Sequence, residues 1–336
     1  MPATRSALLV APLTMLLILP AAAPQSSLAT SPSRVAVAPG LFEFHSGFWI
    51  NLHHFLYVQA RARKRYPDSR RRAVAAAPSD TVGFGALPTE QRRGWESALA
   101  YYEHELAPRD ALLDSLMPPI KNRLGELEDV PSLAGSGLDT ALVAALEQAA
   151  PAYRALWWPR HDAANRAWIR SMLPLLDRYG TSIARGVSDA FRTPWQGPLR
   201  VDVTAYANWA GAYTTEHPSR ITISSLDPEG TGTLGLEGLF HESLHTMEDS
   251  IASALHAAGR ARGKEVPYGV NHALIFYTAG EVTRRVVGTH TPYAITTGLW
   301  ERSWPRYLPI LRARWQPWLD GHTSFSDAIA AIVADL

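Results

Sequence analysis

Cysteine is absent from this chain of 336 residues, and that absence removes several kinds of chemistry. Without a thiol the protein has no disulfide bonds, no thiolate nucleophile and no zinc–sulfur site. It also cannot be a lipoprotein, because the cysteine that would carry the acyl group is missing. Any metal ion must therefore be bound by histidine, aspartate or glutamate.

Charge is scarce as well. Charged residues make up 19% of the chain, too few for an intrinsically disordered protein, whereas the 46% of apolar residues is ample for a core. The formal net charge of +1 gives no reason to expect a nucleic acid as partner. A basic run at 61–72, RARKRYPDSRRR, is best interpreted as a solvated helix end and loop, with binding to an anionic surface as the alternative.

Long apolar runs are confined to the N-terminus. Arg5 precedes ALLVAPLTMLLILPAAA, which predicts a signal peptide at 1–29 that is cleaved after Ala29. The alternative is a retained anchor, but the run is short for a membrane span and contains Pro12 and Thr14. We therefore expect no membrane span after removal of the signal, and a periplasmic or secreted location.

The rest of the chain divides by its pattern. Residues 30–40 look like a linker, and 41–193 read as a helical region with apolar residues at helical spacing. Near residue 194 the pattern changes to alternating β-branched and aromatic residues, and helices resume at about 235. The predicted fold is α+β and mostly helical, with a small antiparallel sheet in the region 194–336.

One motif in the second region carries chemistry. GLFHESLHTMED contains His-Glu-x-x-His at His241, Glu242 and His245. On a helix, residues four apart lie on one face, so the two imidazoles can hold one tetrahedral Zn²⁺ ion. Glu242 can then accept a proton from the water that attacks a carbonyl group.

The alternative interpretation of the motif is two hydrogen-bonded histidines on a core helix. Two buried histidines and a buried glutamate would then need several partners to offset their desolvation. A metal ion satisfies all three side chains together, so we favour a zinc site.

A catalytic zinc normally has three protein ligands, and the third must come from elsewhere in the chain. The helix is expected to continue through Glu248 and Asp249, which rules out a ligand close by. Glu281 is the favoured ligand because it is the only acid in the apolar run NHALIFYTAGEV. A salt bridge from Glu281 to Arg284 or Arg285 is the alternative. The other downstream candidates are His256, Glu265, His272 and His290.

The set His241-Glu242-x-x-His245 plus Glu281 on a following helix resembles the gluzincin class of zinc metallopeptidases, which includes thermolysin. The resemblance covers about residues 200–290 and extends to Asp249, four residues after His245. It implies a sheet whose edge strand, at about 220–226, lies above the active-site helix and aligns a peptide substrate. It assigns no specific family.

Several residues are candidates for supporting roles. Tyr277 or His272 could donate a hydrogen bond to the developing oxyanion, and Tyr268 precedes the same helix. Asp249 could orient a metal-bound histidine. The histidines of the N-terminal region, His45, His53, His54 and His161, could border a cleft, but core or surface positions are favoured.

The sequence thus predicts an exported zinc metallopeptidase that acts on a peptide or protein substrate. Two alternatives stay open: a zinc hydrolase of a non-peptide bond, and a non-catalytic binding protein built on a metallopeptidase scaffold.

Overall fold

A computed structural model of the protein describes residues 33–64 and 83–336. The predicted signal peptide, the first residues of the predicted linker and most of the basic run at 61–72 lie outside these ranges. Residues Ser33–Leu336 belong to one compact unit. Within the described ranges, the helices are all too short or too polar to span a bilayer.

The fold is α+β and mostly helical, as predicted. Its helices are α1 (Phe48–Lys64), α2 (Thr89–Tyr101), α3 (Met117–Leu127), α4 (Thr140–Leu156), α5 (Trp158–Leu175), α6 (Thr181–Phe191), α7 (Gly232–His245), α8 (Glu248–Arg262), α9 (Gly269–Val287), α10 (Tyr293–Thr296), α11 (Leu299–Ser303), α12 (Tyr307–Arg314), α13 (Gln316–Leu319) and α14 (Phe325–Asp335). A short 3₁₀ turn covers Phe84–Ala86, and π-helical turns at Tyr102–Leu106 and Leu176–Gly180 continue α2 and α5.

A five-stranded sheet runs through the centre of the unit. Its strands are β1 (Arg34–Ala38), β2 (Phe42–His45), β3 (Leu199–Thr204), β4 (Ala212–Thr215) and β5 (Arg220–Ser224), in the order β1-β2-β3-β5-β4. The pairs β1–β2 and β4–β5 are antiparallel, whereas β2–β3 and β3–β5 are parallel.

The sheet differs from the prediction in three ways. It is mixed rather than purely antiparallel, because β2 and β3 come from distant parts of the chain and align in the same direction. The predicted linker at 30–40 contains β1, and the helical region that follows it begins with β2. The stretch 220–226 is not an edge: β5 has partners on both sides, and β4 is the edge strand.

Alternation along the strands gives the sheet two unlike faces. Val201, Val203, Ile221 and Ile223 point into a core formed with the helices from α5 onward. The side chains between them on β3 and β5 belong to the opposite face, which is polar and buried. The helices α1 to α4 supply a second hydrophobic core, which reaches the sheet at Tyr213 of β4.

Candidate metal centre

Helix α7 carries the His-Glu-x-x-His motif and packs against β4 and β5. It begins after Thr231, whose backbone is extended, and its residues 239–244 are buried. His241 and His245 lie one turn apart on it, with ring centroids 5.2 Å from each other. The helical spacing therefore brings the two imidazoles together.

A third imidazole comes from His272 in the first turn of α9. Its Nε2 lies 3.3 Å from Nε2 of His241, and its ring centroid lies 5.1 Å from that of His245. Within the described ranges, these three histidines form a group whose donor nitrogens all lie within 4.8 Å of one another. We call them the converging histidines.

The spacing of the converging histidines suits a metal ion. Two nitrogens that bind one tetrahedral zinc at the usual bond length are about 3.3 Å apart. Three imidazoles with a fourth position open are also a common donor set of catalytic zinc sites. With no cysteine in the chain, the donor set is entirely nitrogen.

Hydrogen bonds and burial set the protonation of this group. Nδ1 of His245 lies 2.9 Å from a carboxylate oxygen of Glu248, so its Nε2 remains available for a metal. Burial and the neighbouring His245 and His272 hold the pKa of His241 well below its usual value, which keeps its ring neutral. Nδ1 of His241 is buried and has no hydrogen-bond partner within the described ranges.

His245 responds differently. Burial alone would lower its pKa, but the hydrogen bond to Glu248 and the charges of Glu242, Glu248 and Glu216 outweigh burial and raise that pKa. A neighbourhood that raises the pKa of an imidazole stabilises positive charge. The same carboxylates would therefore favour a bound cation.

The carboxylate of Glu242 is buried between α7 and β4. The hydroxyl of Thr214 lies 2.7 Å from Oε2 of Glu242 and 2.9 Å from its carbonyl oxygen, so its one proton can go to either. Burial raises the pKa of Glu242, although His245, Thr214 and Lys121 counteract that rise. A carboxylate with a raised pKa is a better proton acceptor near neutral pH.

Aromatic side chains enclose the converging histidines on the α9 side. The ring of Phe276 lies 3.9 Å from that of His241, measured between centroids, and Trp304 lies 5.4 Å from His272. These contacts fix the planes of the imidazole rings and keep water away from one side of the group.

Glu281, the predicted third ligand, is not brought to the converging histidines. Its oxygens accept hydrogen bonds from Arg284 at 2.6 and 2.9 Å and from Arg285 at 3.3 Å. These bonds lower its pKa despite partial burial. The structure thus matches the alternative interpretation of Glu281 as a salt-bridged residue, and His272 stands where a third ligand is needed.

The register of α9 explains the error. Nine residues separate His272 from Glu281, which at 100° per residue turns Glu281 about 180° away around the helix. Tyr277 shares the side of Glu281: its hydroxyl donates to Oε1 of Gln316 at 2.6 Å, so it is held outside the group. His272, predicted as an oxyanion donor, lies with His241 and His245 in the group that could hold a metal ion.

The helix after the motif was also predicted wrongly. It ends at His245, and α8 begins at Glu248 after a turn at Thr246 and Met247. The turn places Glu248, rather than Asp249, against His245. Among the other candidates, His256 and Glu265 are exposed, and Nε2 of His290 contacts Oε2 of Glu237 at 2.6 Å.

The N-terminal histidines have separate partners. Nδ1 of His53 lies 2.8 Å from the hydroxyl of Tyr102, and Nε2 of His54 lies 2.8 Å from that of Tyr213. The others behave likewise: His161 contacts Tyr153 at 2.9 Å, and His45 contacts Glu128 at 2.8 Å. We call His45, His53, His54 and His161 the separate histidines; all four are buried.

Comparisons of the chain with protein-family models, with curated proteins and with solved structures gave no match. The functional argument therefore depends on the geometry of the site.

Proposed function

We propose that this protein is a zinc-dependent hydrolase that cleaves peptide bonds, with His241, His245 and His272 as metal ligands. The observation that carries the proposal is the approach of three imidazoles to within 4.8 Å beside the carboxylate of Glu242. A bound zinc ion polarises a carbonyl group and lowers the pKa of water. This set of residues combines the requirements for hydrolysis of an amide.

Glu242 acts as the general base. It follows His241 directly on α7, so its carboxylate lies one residue around the helix from the metal ligands. Thr214 contacts one carboxylate oxygen and leaves the other to take a proton from the attacking water. The same carboxyl group then delivers that proton to the leaving nitrogen.

Strand β4 holds the general base in place. It lies beside α7 and provides Thr214, the partner of Glu242. Residues 213–215 are buried, so the role that the contacts give to β4 is to hold Glu242. The gluzincin resemblance of the motif supports a peptide as the substrate, although three histidines replace the set of two histidines and a glutamate.

Two measurements test the proposal. The zinc content of the purified chain should be one ion per chain, and Glu242→Gln should retain that ion while the rate of cleavage of a peptide library falls about 10²- to 10⁴-fold. Glu90→Gln, at an exposed glutamate in the first turn of α2, is the matched control and should retain both properties.

The outcomes separate the rival functions. Cleavage of non-peptide amides alone, lost in Glu242→Gln, would assign another bond to the same site. A zinc-loaded chain that turns over neither class would be a binding protein, and the proposal of catalysis would be withdrawn.

Export to the periplasm or the medium is part of the proposal and is supported by the sequence of residues 1–29.

A further inference from the structure

A cavity of about 410 Å³ lies between α3 and the turn that joins β4 to β5. Its walls are Pro118, Pro119, Asn122, Arg123, Glu126 and the turn residues 216–218. The turn begins directly after β4, so this cavity lies at one end of the edge strand.

The strand connects this cavity to the candidate metal centre. Thr214 contacts Glu242, and Glu216 follows two residues later, about 7 Å along an extended chain. A peptide cleaved beside Glu242 would therefore need only about two further extended residues on one side of the cut bond to reach the cavity.

The two carboxylates in the cavity wall, Glu126 and Glu216, differ in whether arginine side chains already pair with them. Glu126 accepts from Arg123 and from Arg220, each at 3.0 Å. Glu216 has no arginine or lysine partner within residues 33–64 and 83–336, and its nearest basic atom is Nε2 of the exposed His217 at 3.9 Å. Glu216 is thus the wall carboxylate that is ready to accept a cation.

An amide donor is also available on the wall. Asn122 is 8% exposed, and its Oδ1 accepts from the hydroxyl of Thr215 at 3.0 Å. Its amide nitrogen makes no hydrogen bond to the part of the chain that the structure describes. This nitrogen is not among the fully buried atoms that lack a partner, so it keeps some exposure and can donate to a carbonyl oxygen of a ligand.

We propose that this cavity is a substrate subsite that binds a cationic group of a peptide on Glu216, while Asn122 donates to a peptide carbonyl. The cation is an ammonium or guanidinium group, from either a lysine or arginine side chain or a free amino terminus. The subsite rests on the proposed peptidase function and names its substrate class.

The test compares matched peptides on the full zinc-loaded chain. One set scans lysine against norleucine at each position on both sides of the cleavage site, with acetylated and with free amino termini. We expect lysine to raise kcat/KM on one side only, and Glu216→Gln to reduce that preference about 3- to 10-fold, as for a half-exposed charged hydrogen bond. Loss of preference only with free amino termini would identify the terminal amine as the cation.

Charge reversal and a matched control complete the experiment. A peptide with glutamate at the preferred position is added to the set; Glu216→Lys should transfer the preference to it, and Glu90→Gln should leave the lysine preference intact. An unchanged lysine preference in Glu216→Gln overturns the subsite, even if peptide cleavage itself is established.

A binding arm keeps the subsite testable without turnover. Calorimetry on Glu242→Gln should give tighter binding of the lysine peptide than of the norleucine peptide, and Glu242→Gln combined with Glu216→Gln should remove the difference. Equal binding of both peptides to Glu242→Gln overturns the subsite. Failure of peptide cleavage with this difference retained would instead overturn the proposed catalytic activity.

Discussion

The converging histidines lie on α7 and α9, the separate histidines lie on β2, α1 and α5, and the two groups have different partners. On the side of α1, His54 has its own partners, the hydroxyl of Tyr213 and the carbonyl of Ile50, each at 2.8 Å. Burial lowers its pKa to about 4, so the ring stays neutral and structural. On the side of α7, three imidazoles face one another, and Nδ1 of His241 has no protein partner within the described ranges.

This difference shows how the neighbours of a buried histidine indicate its role. A histidine with a tyrosine or carbonyl partner for each nitrogen needs nothing further. Three imidazoles whose donor nitrogens lie within 4.8 Å of one another, two of them 3.3 Å apart, bring lone pairs together unless a proton or a cation lies between them. The arrangement around α7 is therefore the one that could hold a metal ion.

The largest expected effect distinguishes the two groups directly. His272→Ala should lower zinc affinity at least about 100-fold, because losing even an outer hydrogen-bond partner costs 10- to 100-fold. His54→Ala should leave zinc affinity unchanged and lower the free energy of unfolding by about 1–3 kcal/mol, because Tyr213 loses a buried partner. Zinc titration and chemical denaturation measure both. Equal zinc affinity in wild type and His272→Ala would remove His272 from the metal set.

The second prediction concerns the pH dependence of stability that Lys121 produces beside β4. Its ammonium group is buried and donates to Oγ1 of Thr215 at 2.7 Å, and burial lowers its pKa to about 7. Between pH 7 and 10.5 the unfolded chain binds a proton that the folded chain does not, so stability rises with pH in that window.

Relative to Lys121→Met, the wild type should therefore gain up to about 2.7 kcal/mol of unfolding free energy from pH 7 to pH 9. Denaturant titrations of both zinc-loaded proteins at the two pH values measure the gain. A difference that shrinks over the same range would contradict the neutral, buried amine.

The next largest effect is expected for Glu248, which contacts His245. Its hydrogen bond to Nδ1 of His245 orients that ring, and a partner of this kind is worth 10- to 100-fold in metal affinity. We expect Glu248→Gln to lower zinc affinity about 10-fold, since the amide can still accept, and Glu248→Ala to lower it further. The exposed neighbour Asp249 gives the control: Asp249→Asn should bind zinc like the wild type.

The smallest effect concerns Glu281. Glu281→Gln breaks ion pairs with two arginines that are themselves partly exposed, so we expect a loss of at most about 1 kcal/mol in stability and no change in zinc content. Metal analysis of the variant decides between the two candidate ligands. Loss of zinc here, with zinc retained in His272→Ala, would restore the glutamate as the third ligand.

Helical periodicity explains which part of the site could be predicted from the sequence. The positions of His241, Glu242 and His245 on one helix follow from a spacing of four residues, which any α-helix converts into proximity. The α+β class follows from the change of period near residue 194. The apolar context of Glu281 was misleading, because Arg284 and Arg285 three and four residues later satisfy its charge on the same helix.

Signals for His272 were present but weak. His272 lies four residues before Phe276 and nine residues before Glu281. Because nine residues amount to about two and a half turns, His272 and Glu281 lie on opposite faces of α9 and cannot both face α7. Nothing local indicates which face of α9 meets α7. That contact, and the packing of β4 beside Glu242, join segments that are distant in the chain.

The sequence by itself determined that any metal is bound without thiolate ligands, that two imidazoles and a carboxylate share one helix, and that the fold is mostly helical. These features depend on composition and on contacts within a few residues. Tertiary structure alone decided the third imidazole, the edge strand beside Glu242 and the partners of the separate histidines. Each of these depends on the rotation and packing of whole elements against one another, and a helical or strand period does not encode that rotation.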